Sequence, residues 1–284
     1  MINKKLLYVS VFSFSWALKI FFNKIALSEG VNPIAFITQA VFVSVLILTA
    51  YMLIKNKSEI KRLNIVTYKG LFFAGFFLGI GYIIGLYGLK NSTLINYSFA
   101  IKSSIIFTPL LAILILKEKR DKNRVFLVIA FIIGLYLIIS GGKFILPRAG
   151  DLFTLISAFC FSCVVIVQKM LTKKVNSTII AWGRTFFALP VFLVLAFFMK
   201  ADITKIVFPE LVLTVGFLVA VMAISINRSV NISTATYVSM MSMIVPILNI
   251  ILGSLFLNES INLFQVLGGS LVIFSGIKVQ KLKI

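Results

Sequence analysis

The chain has 284 residues, 60% of them hydrophobic and only 13% charged, with 28 Lys+Arg against 8 Asp+Glu and no histidine. A soluble domain of this length has too little interior to hide that much apolar surface, which excludes a soluble enzyme and a disordered chain. In a soluble protein the net charge of +20 would point to nucleic acid. Here the basic residues stand in short runs between apolar segments, the pattern of membrane topology signals, so nucleic acid is excluded as a partner.

A spanning helix needs about 20 mostly apolar residues, and the apolar content fills roughly ten. The uncharged runs and their flanks predict an all-α integral membrane protein with helices at 5–27, 33–54, 69–89, 93–116, 125–142, 151–171, 178–199, 209–226, 232–257 and 261–277. The first follows the basic tip Lys4-Lys5 as a signal peptide would, but no small-residue cleavage site follows it, which predicts a retained helix. Within it Ser15, Lys19 and Asn23 recur every fourth residue and share a face, with Trp16 beside them. Gln39 is a polar residue of helix 2. Gly75, Gly79, Gly81 and Gly85 give helix 3 two small-xxx-small spacings, which permit close helix approach.

Ser98 and Lys102 share a face of helix 4, which also holds Pro109. Cys160 and Cys163 in helix 6 have neither a histidine nor a second pair to complete a metal site, so they read as two small apolar residues. Helix 7 carries Arg184. The uncharged run 229–258 is too long for one helix and predicts a tight turn before the ninth span, with Tyr237 and Pro246. Glu118 and Glu259, after helices 4 and 9, read as terminal caps or gate-end ion-pair partners. No carboxylate lies mid-span, and with no histidine the usual proton relay is missing. Facilitated passage or exchange is therefore expected rather than strict proton coupling.

Lys19, Lys102 and Arg184 are the main functional signal. A charge at membrane depth costs about 2.5–3.5 kcal/mol on insertion scales and usually faces an interior or wet cavity. These residues, with Gln39, Asn23, Trp16, Ser98 and Tyr237, are the candidate substrate-binding set; a positive cavity would suit a carboxylate-bearing small molecule, and Arg suits a planar oxyanion. The alternative for the three cations is snorkelling to the interface or bonding backbone carbonyls. Lys102, about ten residues into helix 4, is too deep to snorkel easily. Neither cofactor nor metal is expected, and no pattern points to a particular oligomer.

If both termini are cytoplasmic, 19 basic residues lie inside and 6 outside, so the loop charges favour that orientation. The two halves also resemble each other. Phe22-Asn23-Lys24 aligns with Val167-Gln168-Lys169, Gln39 with Arg184, Asn91 with Asn231, Tyr97 with Tyr237 and Glu118 with Glu259. Five spans per half, an odd number, would set repeats 1–142 and 143–284 upside down relative to each other. Such inverted repeats place a transporter's site near the midplane.

These residues resemble the drug/metabolite transporter superfamily, EamA type. FSWALKIFFNKIAL at 14–27 is similar to its first helix, with Ala17 in place of a Gly and Lys19 where a small polar residue is usual. GDLFTLISAF at 150–159 resembles the opening of the second repeat. VPILNIILGSLFLNESINLFQVLGG at 245–269 resembles the family's Pro, Glu and Gln-x-x-Gly stretch, and TPLLAILILKEK at 108–119 its first-repeat version. Gln39 stands where an Arg is frequent. The resemblance implies ten helices in two repeats and a cell-membrane secondary carrier, most commonly an exporter of amino acids or related small polar metabolites by alternating access. A carrier of phosphorylated or nucleotide-like metabolites by exchange is the second reading. A membrane enzyme on lipid-linked substrates would need histidine or acidic clusters that the sequence lacks.

Overall fold

The computed structural model describes residues 4–60, 63–116, 123–143, 148–172, 174–232, 238 and 242–281. Its elements are α1 (Lys4–Ser28), α2 (Pro33–Ile60), α3 (Ile65–Lys90), α4 (Leu94–Ala100), a 3-10 turn (Ile101–Ser103), α5 (Ser104–Leu116), α6 (Asn123–Ser140), α7 (Ala149–Leu171), α8 (Ser177–Phe198), α9 (Pro209–Ile232), α10 (Ile244–Phe256) and α11 (Leu263–Lys281). Among the described residues, seven helical stretches are long and apolar enough to cross a membrane, with α4 to α5 counted as one; shorter apolar helices lie in α6, α10 and α11. The outward surface is studded with large apolar side chains such as Phe14, Phe42, Phe73, Ile132, Leu213 and Phe217. Lys102, Arg184, Asn249 and many serines are buried. Apolar outside and polar inside is the arrangement that lipid rewards.

Two predicted helices differ from the structure. Helix 4 is tightened at Ile101–Ser103 into a 3-10 turn around Lys102, the kind of mid-helix change that often marks a hinge. The eighth span was expected to end at 226, but α9 runs on to Ile232; within the expected ninth span, 232–257, Val238 is helical and a turn at Ser242 and Met243 precedes α10. Polar residues did not end α9 because their side chains bond back to the helix: Asn227 Nδ2 donates to Ala223 O at 2.8 Å and Ser229 Oγ to Ser225 O at 2.7 Å. Pro246 falls in the first turn of α10, where its missing N–H is not required.

Glycines set the closest helix crossings. Gly75 and Gly79 lie against Phe187, Ala188 and Val191 of α8, whereas Gly81 and Gly85 face Cys160, Phe161 and Ser157 of α7. The two small-residue spacings of α3 thus serve two different neighbours. Gly134 of α6 and Gly268 of α11 approach each other's carbonyls.

The end of the bundle away from Lys4 is tied shut. Lys24 Nζ donates to Leu89 O at 3.1 Å and to Ser92 O. The Glu259 carboxylate accepts from Leu94 N at 2.6 Å and Ile95 N at 3.0 Å. It therefore caps α4, bringing its charge to the positive end of that helix. Glu118 lies outside the described residues. Asn262 Nδ2 reaches Gly141 O at 3.1 Å, and Gln265 Nε2 reaches Asn96 Oδ1 at 3.1 Å. In the loop after α8, the Thr204 side chain and the backbone N–H groups of Thr204 and Lys205 hydrogen-bond Asp202, holding its carboxyl below the usual range.

Candidate functional site

A cavity of about 130 Å³ lies between α1, α3, α5, α7, α8 and α9, at the level of the 3-10 turn. That is smaller than the roughly 300–1,000 Å³ of sites for drug-sized ligands, and suits a small metabolite. Its wall is mostly apolar, from Phe12, Leu78, Ile105, Phe161, Val164, Met222 and Ile226. Its polar groups are Lys102, Arg184, Gln168, Ser104, Thr108, Ser242 and the Tyr82 phenol. Phe12 and Trp16 in the first half of α1, Arg184 in the first third of α8 and Gln168 near the end of α7 place the cavity nearer the Lys4 end. The opposite end is the one tied shut.

Each cation is held in its own way. Lys102 is 1% exposed. Its Nζ donates to Ser242 Oγ at 3.1 Å and stands 3.7 Å from the centroid of Trp16. Lys19 is buried with Nζ 3.8 Å from the centroid of Tyr82. Both lysines therefore sit on the negative faces of aromatic rings, worth about 2 kcal/mol each when desolvated. Arg184 is buried and its Nε has no hydrogen-bond partner. No carboxylate appears among the described residues of the wall. The arrangement can hold a small anion: a lysine and an arginine at the wall, the arginine with an unpartnered Nε–H, and hydroxyls beside them.

A family model described as the EamA-like transporter family matches residues 3–140 and 148–278. The chain belongs to that family. The EamA-like transporters belong to the drug/metabolite transporter superfamily, so this is a multi-pass membrane transporter of small molecules and not an enzyme. A solved structure titled only as the crystal structure of a protein aligns with a TM-score of 0.70 at 12% identity, covering 97% of this chain and 98% of that one. It shows the same fold. No curated protein matches the sequence significantly.

Of the residues singled out from the transporter's sequence, Lys102, Arg184 and Trp16 line the cavity. Lys19 reaches its edge through Tyr82. Asn23 is buried with Oδ1 unpaired, and it is not part of the wall. Ser98 accepts from Asn249 Nδ2 at 2.7 Å and donates to Leu94 O at 2.6 Å, which locks α4 to α10. Gln39 Nε2 donates to Ile203 O at 2.9 Å and Lys205 O at 3.0 Å, pinning the loop after α8 rather than facing the cavity. Tyr237 lies outside the described residues. Sequence reasoning missed Tyr82, Thr108 and Ser242 as wall residues. Gln168 had left a signal, since the comparison of the two sequence halves aligned it with Asn23.

Proposed function

We propose that this transporter is a secondary carrier that moves small carboxylate-bearing metabolites across the cell membrane by alternating access through this cavity. The observation that carries the reading is the pair Lys102 and Arg184 on one small wall with no acid among its described residues, Arg184 Nε lacking a partner. The mostly apolar wall favours a carboxylate on an apolar body over a phosphorylated or nucleotide-like cargo, which would need polar contacts along its length.

Amino acids, the cargo that the resemblance makes commonest, carry an ammonium as well. The faces of Trp16 and Tyr82 would be its natural seats, and both are taken by the protein's own lysines. The carrier should therefore prefer an anion to the zwitterion of equal shape. In proteoliposomes, 4-methyl-2-oxopentanoate should compete for the site at least about tenfold better than leucine, since one unpaired buried charge costs more than 1.4 kcal/mol. Equal competition by the two would defeat the anion preference.

The repeats 1–142 and 143–284, related by an in-plane two-fold axis, would supply the rocking halves. The packing supports this: α1 packs on α9 as α7 packs on α3, and α2 meets α9 as α8 meets α3. The breaks of the fourth and ninth spans, at Lys102 and Ser242, are 140 residues apart and meet by a hydrogen bond. The charge bias favours both termini in the cytoplasm; in that orientation the hydrogen-bonded end faces outward and the cavity lies toward the inside. In a background with Cys160 and Cys163 changed to alanine, Lys174→Cys should resist an impermeant thiol reagent added to intact cells, and Asp202→Cys should react. The reverse pattern would invert the topology.

A further inference from the structure

A second pocket lies at the Lys4 end, separate from the central cavity and about 420 Å³ in volume. Lys4, Lys55 and Arg228 line it, together with the polar start of α8 at Asn176, Ser177 and Thr178. No carboxylate is found among its described wall residues. Arg228 does not point away at random: NH1 donates to Tyr8 Oη at 3.1 Å and NH2 to Tyr51 Oη. Two neutral phenols fix the guanidinium in place without cancelling its charge. Three cations converging on a concave polar wall, with one of them pre-positioned, form an anion receptor.

Depth identifies the anion. The lining residues fall at the ends of four candidate spans, at the start of Lys4–Ser28, the end of Pro33–Lys55, the start of Ser177–Phe198 and the end of Pro209–Ser229. That is the level of lipid headgroups. Two of these spans lie in each of the two segments that match the family, so a ligand here would bridge both halves.

We propose that this basic pocket binds an anionic phosphate group, the headgroup of an acidic phospholipid or the phosphate of a soluble ester, and clasps the two halves together at this end. The pocket is a site apart from the transport cavity and does not depend on the cargo. Full-length protein purified in a neutral maltoside detergent and stripped of lipid provides the test, read by thermal shift and native mass spectrometry. Short-chain phosphatidic acid should raise the melting temperature and be retained as one bound molecule, whereas short-chain phosphatidylcholine should not. Binding should weaken at least about tenfold in Arg228→Gln, the loss expected for a charged hydrogen bond. Arg228→Gln also removes two interhelical bonds, so the double variant Lys4→Gln/Lys55→Gln, altering two exposed side chains, carries the same expectation without that risk. Lys102→Met should bind the lipid as the parent does. If glycerol 3-phosphate reproduces the variant-sensitive shift, the source is soluble; if only the lipid does so, the site is a headgroup site. Failure of all these anions to stabilise the protein, or undiminished binding in the double lysine variant, would overturn the proposal.

Discussion

Gly75→Leu is expected to leave little folded transporter in the membrane. A Cβ at this position would lie 2.5 Å from Phe187 Cβ, 2.6 Å from the Phe187 carbonyl carbon and 2.8 Å from Ala188 N. The obstacle is largely the backbone of α8, which moves only if the two helices part. Overpacking against side chains that can yield costs about 1–3 kcal/mol. Here even alanine should reach the top of that range, and leucine should exceed it by enough to consume much of a typical 5–15 kcal/mol stability. Gly70 gives the contrast, since the nearest atoms to its new Cβ would belong to the Leu171 side chain, closest at Cδ2, 2.7 Å away. Yield of monodisperse protein and melting temperature in detergent should fall in the order Gly70→Ala, Gly75→Ala, Gly75→Leu. Parental yield and melting temperature for Gly75→Leu would mean that α3 and α8 do not approach so closely.

The small-xxx-small pattern was legible because close approach leaves a mark on residue size. It could not say which helices approach, and α3 in fact uses one spacing for α8 and the other for α7. The same division runs through the site. Depth of a charge in an apolar run is visible in sequence, and Lys102 and Arg184 both line the cavity. What a polar side chain bonds to depends on tertiary contacts, so the helix-face reading grouped Asn23 and Ser98 with the lysines although neither lines the wall. Gln39 shows the limit most clearly, because its partners are carbonyls 164 and 166 residues away. The run 229–258 was read as a turn and a span because it is too long for one helix. The side chains of Asn227 and Ser229 bond within α9, which continues to Ile232, and the described turn stands at Ser242 and Met243.

Lys102→Met and Arg184→Gln should each weaken binding of a carboxylate substrate, with the arginine change the larger. From sequence alone Lys102 ranks first, because it is the deepest charge. The geometry reverses the order. Lys102 Nζ already has a hydroxyl and an aromatic face as partners, so an anion must compete with both. Arg184 keeps Nε unpaired in a buried position, an N–H whose desolvation is offset only when a ligand arrives. Methionine keeps most of the lysine's length, and its sulfur can pack against Trp16. The variant should fold as well as the parent or better, since a buried charge has gone. Its affinity should fall by about 1.5 kcal/mol, the low end for a hydrogen bond to a charged group, and that of Arg184→Gln by closer to 3 kcal/mol. If both groups hold the same carboxylate, the double variant should lose less than the two single losses combined. Isothermal titration of purified protein measures the affinities, and uptake into proteoliposomes at saturating substrate separates binding from the conformational step. Unchanged affinity in both single variants, with folding intact, would make these cations structural and remove the basis for an anionic substrate.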